Sequence, residues 1–122
     1  MIPADLFGRY QELQAYVGWG EADRQRVQAA TAVLGPHLPS LVDDFYAEVG
    51  RHPDTQRVIE GAGAAVERLK ATLGDWLQEL LRGPYDRHYV ERRWQVGRRH
   101  VEVGLDQTYV SAAMARLRAG LV

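Results

Sequence analysis

Three side chains in this sequence could do chemistry from inside helical, otherwise apolar stretches: His100, Tyr46 and Thr72. His100 lies in WQVGRRHVEVGLDQTYVSAAM, residues 94–114, on the side where Val96, Val103 and Leu105 also point. An imidazole there can ligate a metal, move a proton, or simply be a hydrogen-bonded core group, and for a lone histidine the last is the commonest. Gly97 and Gly104 sit about one turn to either side. Each lowers helix propensity by about 1 kcal/mol relative to alanine and leaves room beside the backbone for something bulky. Tyr46 and Thr72 each place a hydroxyl in an apolar stripe, and a buried hydroxyl needs a partner. Thr72 can satisfy itself on the carbonyl one turn back. Tyr46 has no such local outlet, so its hydroxyl either reaches the surface or serves a partner.

Other chemistries find no support. There is no cysteine, which excludes disulfides, thiolate metal sites and cysteine nucleophiles, so a metal must bind through His, Asp, Glu or Tyr. His37, His52 and His88 fall in loops or on polar faces, without the spacing that puts two ligands on one helix face, and read as surface residues. Ser40 and Ser111 lack a nucleophile-elbow setting, no glycine-rich phosphate loop is present, and Asp43-Asp44 with Glu48 reads as a solvated helix face. The pairs Arg92-Arg93 and Arg98-Arg99 read as solvent-facing, with one of them available to an anionic group of a cofactor.

These residues need helices to position them, and the apolar pattern supplies helices throughout. Two-residue alternation is never sustained, so the expected class is all-α. The first helix is expected from Pro3 to the Gly18-Trp19-Gly20 loop, and the second from Glu21 to a stop at Gly35-Pro36. A third, after Pro39, carries Leu41, Val42, Phe45, Tyr46 and Val49 and is expected to close at Gly50 in a left-handed cap. A turn or short helix follows Pro53-Asp54. A long helix then carries Ala65, Leu69, Thr72, Leu73, Trp76 and Leu80 to Gly83-Pro84. Asp86 is expected to begin the helix of Tyr89, Arg93, Val96 and His100, and Asp106 to cap the last one, with Tyr109, Ala113, Met114, Leu117 and Leu121.

A chain of 122 residues makes room for one core and hence one domain. Fifteen basic and sixteen acidic side chains nearly cancel, and no basic stripe suggests nucleic acid. No apolar run is long enough to span a bilayer, and the N-terminus lacks a signal-peptide layout, so the expected location is the cytoplasm.

Together these stretches resemble the haem domains of globin-coupled sensors, relatives of protoglobin. The likeness covers nearly the whole chain, through AYVGWGEAD, DDFYAEVGRHP, VERLKATLGDWLQELLRGPYD and, most specifically, the histidine followed by an apolar-Gly-Leu turn in WQVGRRHVEVGLDQTYVSAAM. It implies a globin-like all-α fold and haem b as cofactor. It makes His100 the proximal iron ligand, Tyr46 the distal tyrosine facing a bound gas, and Thr72 the second distal polar residue. Phe45, Leu69, Leu73, Val96, Val103 and Tyr109 become the apolar walls of the haem pocket. The implied ligand is a diatomic gas, O2 or alternatively CO or NO, and a homodimer and a downstream signalling domain are implied as partners. Residues 1–122 then form a single sensor-globin domain, shortened at its C-terminus by one long helix and read as the N-terminal part of a longer signalling protein. The resemblance implies no enzyme. A haem-free interaction module and a small haem enzyme, such as a nitric oxide dioxygenase driven by an external reductant, are the competing expectations.

Overall fold

A computed structural model describes residues 2–63 and 65–121. Among them there are seven α-helices and no strand: α1 (Leu6–Tyr16), α2 (Glu21–Leu34), α3 (Leu38–Val49), α4 (Pro53–Gly61), α5 (Val66–Arg82), α6 (Arg87–Glu102) and α7 (Gln107–Leu121). The all-α expectation therefore holds, and the long helix with Thr72 and the helix with His100 appear where the periodicity puts them.

The core forms where two apolar stripes meet. Leu38 and Val42, four apart on α3, pack with Leu77 and Leu81, four apart on α5, because residues at that spacing share a helix face. Leu77 is 1% exposed. Val27 and Leu34 of α2, Leu41 and Tyr46 of α3, Leu73 and Trp76 of α5 and Leu121 of α7 lie against this cluster. Full burial of one such aliphatic side chain contributes about 1.5–3 kcal/mol. A second, aromatic cluster holds α1 to α6. Tyr85 and Tyr89 meet edge to face at 5.0 Å, Tyr10 of α1 stands 6.2 Å from Tyr89, and Trp19 closes on Tyr85.

Three boundaries differ from the sequence expectation. α1 begins at Leu6, since Pro3 opens only a turn in which its carbonyl accepts the Leu6 N–H at 3.2 Å. Gly35-Pro36 does not separate α2 from α3: residues Gly35–His37 form one 3-10 turn that leads straight into α3. Gly50 is right-handed, with φ −69°, so the left-handed cap expected there is absent. The chain instead turns through the extended His52 into α4, whose first residue, Pro53, carries the φ that a helix start requires.

The ends of α6 follow the sequence closely. Asp86 caps its start, with its side chain accepting the Tyr89 N–H at 2.9 Å. Its C-terminus closes on Gly104 at φ +75°. The Leu105 N–H donates to the His100 carbonyl and the Gly104 N–H to the Val101 carbonyl, both at 3.0 Å, the double bond pattern of a Schellman cap. Gly104 is thus required by the turn rather than by space beside His100. A Cβ added at Gly97 or Gly104 would meet no atom within 4 Å.

Candidate functional site

His100 is half-buried near the end of α6. Its Nδ1 lies 2.8 Å from the Val96 carbonyl one turn back, and since a carbonyl can only accept, that nitrogen carries the proton. The Nε2 lone pair is then available, and Nε2 has no hydrogen-bond partner among the described residues. The residue is held twice over, its ring by Val96 and its carbonyl by Leu105. A ligating histidine whose second ring nitrogen is fixed by a carbonyl has its tautomer and ring orientation set before metal arrives.

Tyr46 is half-buried on α3, packed against the core, with its ring edge to face with Phe45 at 5.1 Å. Burial pushes its phenol above the ordinary tyrosine range. Its hydroxyl has no hydrogen-bond partner among the described residues, so its proton is uncommitted. Thr72 differs. It is exposed on α5, and its hydroxyl donates to the Arg68 carbonyl at 3.0 Å, the local arrangement open to any threonine in a helix. Phe45, Leu69, Leu73, Val96 and Val103 are each only half-buried. Tyr46 and Leu73 share the α3–α5 core cluster. Tyr109 is half-buried on α7 and its hydroxyl donates to Asp54 of α4 at 2.6 Å. That bond and Arg57 beside it hold the Asp54 carboxyl below its usual range, while the same bond, with burial and the Asp54 charge behind it, raises the Tyr109 phenol.

The bracing between α5 and α6 is uneven. In the first half of α6, Arg92 pairs with Glu79 of α5. Arg93 donates to the Trp76 carbonyl at 3.2 Å, and its guanidinium lies 4.2 Å from the ring centres of both Trp76 and Tyr89. From Val96 onward, the side-chain hydrogen bonds and ion pairs of α6 among the described residues are internal to the helix. The helix that carries His100 is therefore clamped to α5 two turns before the histidine and unbraced beside it. Past that point, a cleft of about 550 Å³ separates the end of α6 from α4, lined by Val58, Gly61 and Ala62 on one side and Arg99, Glu102 and Val103 on the other.

Arg93 corrects the reading of the arginine pairs as solvent-facing. It is largely enclosed, and Nε and Nη1 are buried without a protein hydrogen-bond partner. A positive side chain stacked between two aromatic faces gains from their negative π-surfaces. The signal for it was its place seven residues before His100 on the Tyr89–Val96–His100 face. The Asp54–Tyr109 bond joins residues 55 apart and no local pattern announces it. His37, His52 and His88 are exposed, as expected. Among the described residues no group of three or more His, Asp or Glu side chains could hold a metal ion.

Among the described residues, seven packed helices form an all-α domain that carries one half-buried histidine, tied through one ring nitrogen and without a hydrogen-bond partner at the other. The chain belongs to the protoglobin family, which it matches over residues 8–122. It is similar to the haem-based aerotactic transducer HemAT of Halobacterium salinarum, 34% identical over 83 residues, or 68% of this chain and 17% of that protein. The chain thus spans about a sixth of the length of that relative.

Proposed function

We propose that this chain is a haem-binding sensor domain for a diatomic gas, O2 first among them, with haem b held at His100. The observation that carries this reading is the His100 imidazole, whose Nδ1 is engaged by the Val96 carbonyl while Nε2 stays unpartnered. Haem iron in globins takes one neutral imidazole nitrogen, and this donor set fits that need. The match to the protoglobin family and the likeness to a haem-based transducer support it.

When bound, haem supplies an iron atom that takes up a diatomic gas. This chain's residues do the rest. His100 holds and orients the iron. Phe45, Leu69, Leu73, Val96, Val103 and Tyr109 supply apolar walls that slow the entry of water. Tyr46 offers a hydroxyl proton to the gas, and Thr72, in second place, a hydroxyl whose proton must first leave the Arg68 carbonyl. We assign residues 1–122 as one sensor-globin domain that passes its ligand state to a downstream signalling partner, as a homodimer and in the cytoplasm. It performs no catalysis of its own. Among the described residues no helix is long and apolar enough to cross a membrane.

The test is an absorbance titration of the purified chain with haemin, in ferric and ferrous forms and under O2, CO and NO. The expected result is a stoichiometric Soret band that shifts with each gas, is lost in His100→Gly and is restored there by added imidazole. A spectrum identical for the wild-type chain and His100→Gly overturns the assignment.

A further inference from the structure

The Val96 carbonyl fixes the His100 ring on its own helix, but the direction in which Nε2 points across the molecule depends on how α6 lies on α5. Arg93 stands seven residues before His100, close to two full turns and so on nearly the same face. It makes a tie between the two helices. Its guanidinium lies 4.2 Å from the ring centres of Trp76 on α5 and Tyr89 on α6, and it donates to the Trp76 carbonyl at 3.2 Å. Trp76 follows Thr72 and Leu73 by one helical turn and packs against the α3–α5 core. Arg93 therefore joins the helix of the proposed iron ligand to the helix of Leu69, Thr72 and Leu73, the other side of the proposed pocket.

As a source of stability alone, an arginine is a poor choice for this place. Its Nε and Nη1 are buried without a protein hydrogen-bond partner, and Glu79 across the interface pairs with Arg92 instead. Burial of charged donors without partners costs free energy, and an apolar side chain of similar volume avoids that cost. What an apolar side chain lacks is direction. A flat guanidinium, stacked on a ring at each face and bonded to a carbonyl, restricts α6 to one orientation on α5. From Val96 onward the side-chain bonds of α6 among the described residues are internal to it, so that half of the helix takes its direction from the clamp. At a rise of about 1.5 Å per residue, His100 stands about 10 Å beyond Arg93, and a tilt of about 5° at the clamp moves the imidazole by about 1 Å. We infer that Arg93 is a positioning residue, which sets the tilt of α6 on α5 and through it the angle at which His100 Nε2 meets iron. This rests on the haem reading and adds to it a residue that acts through His100.

The experiment records the iron–histidine stretching band of the ferrous, haem-loaded full chain by resonance Raman, beside the urea midpoint of the haem-free chain. The variants are Arg93→Met, Arg93→Lys, Trp76→Leu and the pair Arg93→Met with Trp76→Leu. Arg93→Met is expected to keep or raise the urea midpoint and yet to move the band to lower frequency and broaden it, since an off-axis imidazole bonds iron less strongly and takes up several angles. Arg93→Lys keeps the charge but not the flat stack, and it should shift the band in the same direction. The double variant should shift it by less than the sum of the two single variants, because both remove one shared contact. A wild-type band in either Arg93 variant overturns the inference, as does a shift that is fully additive in the double variant. A lowered urea midpoint with an unmoved band shows that Arg93 serves the fold alone and likewise overturns it. Should Arg93→Met fail to fold by far-UV circular dichroism, the band of Arg93→Lys decides. In each of these cases haem binding through His100 stands. A wild-type chain with no histidine-dependent Soret band overturns the haem reading, and this inference with it.

Discussion

At the scale of single residues, the difference between Tyr46 and Thr72 is one of proton supply. A hydroxyl has one proton to give, and Thr72 spends its own on the Arg68 carbonyl, whereas Tyr46 finds no acceptor among the described residues. Removing the Tyr46 hydroxyl should therefore matter more. In the haem-loaded chain, Tyr46→Phe is expected to speed O2 release roughly tenfold, corresponding to about 1.5 kcal/mol for a charge-assisted bond. Thr72→Val should change it less than about threefold, because only a rearranged Thr72 can contribute. Stopped-flow displacement of O2 by CO measures both, and a larger effect at Thr72 would show that its bond to Arg68 gives way when gas binds. Arg93 makes a related point: in the sequence it reads as solvent-facing, and its enclosure comes from Trp76 and Tyr89 on two different helices.

At the scale of elements, α6 is the part on which His100 depends, and both its ends are built by identifiable side chains. Asp86→Ala removes the bond to the Tyr89 N–H and should cost about 1 kcal/mol of stability, the usual worth of such a cap. Gly104→Ala places a Cβ at φ +75°. It should destabilise by about 1–2 kcal/mol through left-handed strain and loosen the Leu105 bond to the His100 carbonyl. Urea denaturation reads both. Haem affinity should fall in Gly104→Ala beyond what its stability predicts, since that cap sits beside the proposed ligand. Asp86 and Gly104 could be read from sequence because capping is local. Gly50 was read as a left-handed cap and is not one, because the bend into α4 is decided by Pro53 and the extended His52 rather than by the glycine.

At the scale of the whole molecule, long-range ties decide how α4, α6 and α7 stand. The Asp54–Tyr109 bond is one of these, and it gives the fold a pH dependence. Asp54 has its proton affinity lowered in the folded chain, first by Tyr109 and then by Arg57. Its stabilising contribution is therefore complete above the ordinary carboxylate range near about pH 4 and is lost as pH falls through the lower folded value. Tyr109 is shifted upward by Asp54. Its contribution is present below about pH 10 and disappears as pH rises through its folded value. Tyr109→Phe should flatten both limbs of a stability-against-pH curve measured by urea unfolding. Unchanged slopes would show that the bond carries no folding energy. The α3–α5 core responds to volume instead: Leu77→Ala should cost about 2–5 kcal/mol, since the site is enclosed by Leu38, Val42 and Leu81.

Helix periodicity, capping and composition act over a few residues, so the helical class and most helix limits were determined by the sequence alone, whereas Thr72, expected in an apolar stripe, is exposed on α5. The sequence also carried the resemblance to globin-coupled sensors that the protoglobin match supports. The tertiary structure decided what periodicity cannot reach: that α6 is clamped to α5 at Arg93 but unbraced from Val96 on, that Tyr109 reaches Asp54, and that Arg57 and Arg99 meet at one cleft. Each of these joins residues far apart in the chain, and only the packing of helix against helix determines which side chains become neighbours.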